Sequence, residues 1–416
     1  MRKYILLLLL SISIIAKSQN NKSIDWNSDL EFIKVELPKN HINFYHQKSE
    51  KDFLRGIEQI SLKKDKLSDF EIVIKLQQLV ASFGDMHTEV DWLQFLDVKK
   101  LLQLNFFWFS DGIFVLNATE EHKEILGSKV LEINKMPIQA IVDSFSSLLT
   151  AENNAIIKNK VPLLLPYAQL YKYFGIAKSD TFEMKLEKQN GETFNFSIVA
   201  SSIDKNKWVS FKPDSVALSS QNGRAFFIDY IQKRNNAYYI QYNSCSSREY
   251  PPLGFKGDTM QLPSVNDFHK KVIETIKSNS FSKIIFDLRL NSGGNSIPGT
   301  ELIKDISSIN QINQEGKIYV LLGRKTFSSA IYNAMDFKDM TKAIFVGEET
   351  SGKPNHYGDL KPLKLPSSKL IVYYSTKRFT RSEKNLNTLT PDHIIVKSFK
   401  EYKEGRDPAY DWIIKQ

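Results

Sequence analysis

Two serines, Ser328 and Ser329, stand between an apolar run, Ile318 to Leu322, and a stretch in which Ala330, Ile331, Ala334, Met335 and Phe337 recur at helical spacing. A second apolar run, Ala343 to Val346, closes the stretch. The pattern predicts one β-α-β unit with two hydroxyls at the mouth of its helix. Such a turn exposes a side-chain hydroxyl and aims free backbone N–H groups at the same spot, which a serine nucleophile and its oxyanion both require. Serine is also a preferred helix N-cap, so the pair by itself reads as a cap. Its neighbours must decide.

The first neighbour is Asn291–Ser296, NSGGNS, just beyond the apolar segment KIIFDLRL. Gly293 and Gly294 let the backbone approach a ligand and turn an N–H toward it, so one of them together with Ser329 predicts an oxyanion hole. The nucleophile also needs a base. Lys353 lies 25 residues beyond Ser328, in a loop that returns to the same sheet edge, and it could act if burial left it neutral. His356, three residues on, and His87, in the segment GDMHTEV with Asp85, offer a serine–histidine pair instead. The loop GEETSGKP fits most of a phosphate-binding P-loop, but Pro354 lacks both the hydroxyl and the N–H that the last position must supply. No HExxH, EF-hand or Cys/His cluster occurs, so neither a metal nor a cofactor is expected. Glu348–Glu349 reads as a solvated pair rather than as glycosidase carboxylates.

The elements that must position these groups fall into three regions. Residues 19–98 read as helical, with Ser68 and Glu71 forming a capping-box pattern before the apolar-periodic stretch that ends at GDMHTEV. Residues 99–205 alternate with period two in short strands around a helix from Pro137 to Leu149, the Gln189-Asn190-Gly191 turn makes a hairpin, and the loop-rich stretch Thr150 to Tyr167 carries no clear element pattern. Residues 206–416 alternate strand and helix, from AYYIQY through the β-α-β unit to a late strand, KLIVYYS, which predicts an α/β layer with a largely parallel sheet.

With 416 residues, 42% hydrophobic and 25% charged, the chain is long enough for two or three domains with real cores. Residues 1–18 read as a secretory signal, with Arg2 and Lys3, an apolar run from Tyr4 to Ala16, and the small-x-small site Ala16-Lys17-Ser18. The expectation is an exported, soluble protein, periplasmic or extracellular. Cys245 is the single cysteine, so no internal disulfide is available. The net charge of +9 is diffuse and broken by acids, which gives nucleic-acid binding no support and leaves only peripheral contact with an anionic envelope.

KIIFDLRLNSGGNS, TFSSA and VGEETSGK together resemble the C-terminal processing, or tail-specific, serine peptidases. ILGSKVLEINKMPI, Ile125 to Ile138, is similar to part of a PDZ domain, and GDMHT and TPDHIIVKSFKEYKEGRDPAYDWI resemble the family's inter-region turn and ending. The resemblance implies a helical N-terminal domain, a PDZ-like β-rich domain and an α/β core of the ClpP/crotonase type. It also implies a polypeptide substrate and a Ser-Lys dyad, with Ser328 as nucleophile and Lys353 as base. One departure is that Tyr357, preceded by His356, stands where processing members carry glutamine, which leaves His356, Tyr357 and His87 as candidates for a third partner. A non-catalytic envelope binding protein and an esterase or amidase are the alternative readings.

Overall fold

The computed structural model describes residues 23–204, 207–252 and 254–416, so the signal expected in residues 1–18 lies outside the described residues. Three helices come first, α1 (Trp26–Asn40), α2 (Glu50–Lys63) and α3 (Asp69–Ala81). Ser68 and Glu71 form the expected capping box at α3, and Ser49 with Asp52 forms another at α2. A short strand follows, β1 (Glu89–Val90).

The next region contains β2 (Leu104–Phe109), β3 (Gly112–Thr119), β4 (Lys129–Ile133) and β5 (Met136–Pro137), then α4 (Ile138–Ser146), α5 (Asn154–Leu164) and α6 (Ala168–Tyr173), and finally β6 (Thr181–Glu187), β7 (Thr193–Val199) and β8 (Trp208–Ser210). These strands build one antiparallel sheet, ordered β2-β3-β4-β6-β7, with β5 on β4 and β8 on β3. The hairpin turn occurs as expected, with Gly191 at φ 85°. The loop-rich stretch without a clear element pattern contains α5. Asn153 caps that helix, accepting from the Ile156 N–H, and Pro162 lies inside it, which weakens a helical reading from residue types alone.

The remainder is α7 (Leu218–Gln221), β9 (Phe227–Gln232), β10 (Ala237–Tyr242), α8 (Val265–Lys277), β11 (Lys283–Asp287), α9 (Ile297–Ser307), β12 (Ile318–Leu322), α10 (Ser329–Met340), β13 (Ile344–Gly347), β14 (His356–Lys364), β15 (Ile371–Phe379), β16 (His393–Ile394), α11 (Phe399–Lys403) and α12 (Pro408–Lys415). Six strands form the core sheet in the order β16-β13-β12-β11-β10-β9, parallel except for β9. Successive residues of a strand face opposite sides, so β10 sends Tyr238, Ile240 and Tyr242 toward α8, α9 and α10, and sends Ala237 and Tyr239 toward α12.

The late strand KLIVYYS is not part of that sheet. It becomes β15 in a separate antiparallel sheet, β1-β15-β14, in which Glu89 pairs with Tyr373 and Val90 with Val372. This pairing ties the end of the helical region to the C-terminal part of the chain. One apolar core runs through both the helices and the β-rich sheet, joining Ile33, Val73 and Leu76 to Leu104, Val130 and Phe145 and reaching Val372. Among the described residues, no helix is long and apolar enough to cross a membrane.

Candidate active site

Ser328 stands at the turn between β12 and α10, as the β-α-β pattern requires. Its φ of 52° is unusual for a side chain with a Cβ, and such strain persists only where surrounding contacts impose it. Those contacts are present. The Thr326 hydroxyl donates to the Leu288 carbonyl (2.9 Å) and accepts from the Gly323 N–H (3.1 Å), while the Phe327 N–H donates to the Asn291 carbonyl (3.1 Å). Ser328 occupies the N-cap position of α10 but makes no side-chain capping bond. Capping therefore does not account for this hydroxyl.

Its partner is His87. Nε2 of His87 lies 3.2 Å from Ser328 Oγ, bridging 241 positions of sequence. The imidazole stacks on Phe327, with centroids 4.7 Å apart, and on His356, 5.3 Å apart, while Nδ1 is buried with no hydrogen-bond partner among the described residues. Ring stacking, rather than a carboxylate on Nδ1, holds this histidine. Asp85 positions its backbone instead: Oδ1 accepts from the His87 N–H (2.9 Å), and Oδ2 accepts from Thr88 Oγ1 (2.5 Å) and from His41 Nε2 (2.9 Å). The Asn43 N–H donates to His41 Nδ1 (2.9 Å), which leaves Nε2 of a neutral ring as the donor to Asp85. Burial would raise the Asp85 carboxyl pKa, but these hydrogen bonds and the nearby His87 outweigh it and hold the value well below the usual carboxylate range. Burial lowers His87 to about 4, against the pull of Asp85 and with a further push from His356. A neutral imidazole at neutral pH can accept the hydroxyl proton.

Lys353, expected as the base, is engaged elsewhere. Its Nζ lies 3.0 Å from Oε1 of Glu152. Sequence reasoning missed Glu152, which lies in the loop-rich stretch Thr150 to Tyr167. The one signal there was the helix-capping Asn153 beside it. His356 turns Nδ1 to the Lys353 carbonyl (3.0 Å) and lies edge-on to Tyr332. Tyr357 faces the N-terminal region, where its hydroxyl accepts from Asn43 Nδ2 (3.2 Å) and its ring packs on His41 and His46.

Both glycines of NSGGNS have left-handed φ, 104° at Gly293 and 134° at Gly294. The Gly293 N–H is committed to Asn291 Oδ1 (2.9 Å), which narrows the expected donors to Gly294 and Ser329. The bridge between this loop and Cys245 runs from the Cys245 N–H to the Gly293 carbonyl and from the Asn295 N–H to the Cys245 carbonyl, so it does not use the Gly294 N–H. Ser329 begins α10, where an N–H has no intrahelical acceptor, and its hydroxyl donates to the Gly294 carbonyl (2.7 Å), joining the two loops. A Cβ on Gly293 would lie 2.9 Å from Ser328 Cβ and 3.0 Å from the Phe327 carbonyl oxygen. Gly293→Ala is accordingly expected to cost about 1–3 kcal/mol of stability, from backbone strain and overpacking, and to displace Ser328. Denaturant melts and the rate of serine labelling together check this; an unchanged labelling rate would refute it.

A cavity of about 290 Å³ lies between β2, α5 and the carboxyl ends of the core strands, with Phe106, Phe109, Pro162, Arg289, Arg324 and Tyr402 in its wall. Neither Ser328 nor His87 lines it, so the chemistry, not the cavity, marks the site. Among the described residues, no group of three or more His, Cys, Asp or Glu side chains could hold a metal ion.

No protein-family model matches the chain. Carboxyl-terminal-processing peptidase 2, chloroplastic, of Arabidopsis thaliana is 26% identical to it over 186 residues, a match covering 38% of this chain and 35% of that protein. The chain thus spans about a third of the length of the curated relative it matches. Mature CPAF complexed with lactacystin superposes with a TM-score of 0.63 at 13% identity, covering 93% of this chain and 96% of that one. A second structure of mature CPAF gives 0.56 at 13% identity, covering 93% and 94%. These two share the fold, and the processing peptidase agrees with the resemblance carried by the glycine turn, the serine segment and the lysine loop.

Proposed function

We propose that this relative of the C-terminal processing peptidases is a serine endopeptidase acting on polypeptides, with Ser328 as nucleophile and His87 as general base. The observation that carries the reading is the 3.2 Å contact between His87 Nε2 and the hydroxyl of a serine held at φ 52°. His87 Nε2 takes the Ser328 proton as Oγ attacks the peptide carbonyl, and the N–H groups of Gly294 and Ser329 stabilise the oxyanion. The imidazolium then returns that proton to the leaving amine, giving the acyl-enzyme, which a water activated by the same histidine hydrolyses. Lys353 is not assigned the base role, since its Nζ is engaged by Glu152.

In the same reading the chain comprises a helical domain (19–98), a PDZ-like domain (99–205) and a ClpP/crotonase-type core (206–416), exported by the signal in residues 1–18. The sequence patterns of those regions support it, as does the parallel core sheet with Ser328 beyond the carboxyl end of β12. The test is labelling with a fluorophosphonate together with cleavage of an unfolded polypeptide such as reduced casein. Wild-type protein is expected to label and cleave, and Ser328→Ala to do neither. Equal labelling of Ser328→Ala would overturn the nucleophile. Turnover of simple esters alone would indicate an esterase, and ligand-induced stabilisation without labelling would indicate a binding protein.

A further inference from the structure

The segment from Thr150 to Asn153 joins α4 to α5 and touches both neighbouring regions. On one side, Thr150 Oγ1 donates to the Ala81 carbonyl at the end of α3 (3.2 Å). On the other, Asn153 Nδ2 reaches the carbonyls of Thr350 and Ser351 (3.1 Å each) and of Asn387 (2.8 Å). Glu152 lies between them, its side chain only 7% exposed, with Oε1 on Lys353 Nζ at 3.0 Å and Oε2 buried without a partner among the described residues. Burying a carboxylate is unfavourable unless its charge is matched, so Lys353 is held where Glu152 needs it.

That constraint reaches the active site through three contacts. The Lys353 carbonyl accepts from His356 Nδ1 (3.0 Å), the His356 ring stacks on His87 (5.3 Å, 16° between planes), and His87 Nε2 lies 3.2 Å from Ser328 Oγ. The same loop is pinned from beneath, where the Ser351 hydroxyl donates to the Arg324 carbonyl and the Ser351 N–H donates to the Thr326 carbonyl (3.3 Å). We infer that Glu152 is a positioning residue for the serine–histidine pair: by holding Lys353 it fixes the turn that carries His356, and through the His356 ring it fixes the imidazole of His87. The inference rests on the serine–histidine reading above. It makes turnover depend on the β-rich region being seated on the core, because Glu152 and Asn153 belong to that region.

The geometry has a titration signature. Burial raises Glu152 to about 7, with Lys353 pulling it down and the charge of Asp85 adding to the rise. Below that pH the protonated acid carries no charge to hold Lys353, and the turn loosens. The acid side of the rate profile should therefore fall near pH 7 in the wild type. Without Glu152 it should follow His87, which is lowered to about 4.

The experiment measures fluorophosphonate labelling and casein cleavage against pH for wild type, Glu152→Gln, Lys353→Met, the double variant and Asn153→Ala, with thermal melts confirming that each is folded. Glu152→Gln is expected to lower kcat and the labelling rate by roughly ten- to a hundredfold with little change in KM. Lys353→Met should do the same, with no further loss in the double variant, and the acid limb should move from near 7 to near 4 when Glu152 is removed. Asn153→Ala should slow both reactions while keeping the wild-type limb, and it carries the test if Glu152→Gln does not fold. An unchanged rate and profile in Glu152→Gln would overturn the inference. A rate increase in Glu152→Gln with complete loss in Lys353→Met would also overturn it and would identify Lys353 as the base, which is a failure of the serine–histidine reading. Because labelling reads Ser328 reactivity directly, a wild type that labels without cleaving casein removes the peptidase reading and still tests Glu152.

Discussion

Replacing His87 by alanine is expected to lower the rate of peptide cleavage by about 10⁵–10⁶-fold, as removal of a serine's general base does in other serine hydrolases. The other nearby groups are poorly placed to substitute. His356 has Nδ1 on the Lys353 carbonyl, Lys353 is paired with Glu152, and Tyr357 is bonded to Asn43. The comparison variant is Lys353→Met. In the serine–histidine arrangement it costs orders of magnitude less than His87→Ala, and the reverse ranking in kcat/KM would sink the assignment. His87 also has a thermodynamic signature. Its folded value, about 4, lies below the 6.5 of an unperturbed histidine. A group lowered on folding contributes stability that is present above pH 6.5 and is lost as the pH falls toward 4, because the unfolded chain takes up the proton first. The displacement corresponds to roughly 3 kcal/mol. Denaturant melts at pH 7 and pH 4 should therefore show a smaller acid-induced loss in His87→Ala than in the wild type.

The second large effect is on stability, at the opposite face of the core sheet. Asp407→Ala is expected to destabilise the fold by about 3–5 kcal/mol, because it breaks a buried ion-pair network by removing one partner. Arg289 donates to Asp407 through Nη1 (2.7 Å) and Nη2 (2.8 Å) and to Asp287, at the end of β11, through Nη2 (2.6 Å). The Tyr239 hydroxyl also donates to Asp287, and the Ser219 hydroxyl donates to Asp407 (2.8 Å). Asp407 is in addition the N-cap of α12, whose Ala409 and Ile413 cover the core sheet beside Tyr239 and Tyr319. Removing it would leave the Arg289 guanidinium short of one of its two carboxylates and the helix uncapped. Burial alone would raise the Asp407 carboxyl, yet Arg289 and Lys397 hold it well below the usual range. Its stabilisation is thus present above the ordinary aspartate value and is lost on acidification through the lower folded one. A midpoint shift equivalent to less than about 1 kcal/mol would contradict the network's role.

Several features of the fold and site were legible without coordinates because they depend on neighbours in sequence. The capping box at Ser68, the hairpin at Gly191 and the β-α-β unit around Ser328 are local patterns, and each occurs at the expected position. The left-handed glycines belong with them, since only a residue without Cβ accepts those φ values easily beside Ser328. The helix α5 capped by Asn153 and the separate sheet holding β15 were not legible. Pro162 obscures the helix, and an apolar run does not reveal which sheet it will join.

The pattern of residues already places a serine at a strand-to-helix turn beside a glycine loop, with a lysine loop returning to the same sheet edge. Which side chain meets that serine depends on how distant segments pack. Spacing constrains where the backbone returns, but side-chain partners are chosen among groups far apart in the chain. Pairing of β1 with β15 brings His87 to Ser328, and the buried carboxylate of Glu152 takes the ammonium of Lys353, because a charge withdrawn from water is stable only against its opposite.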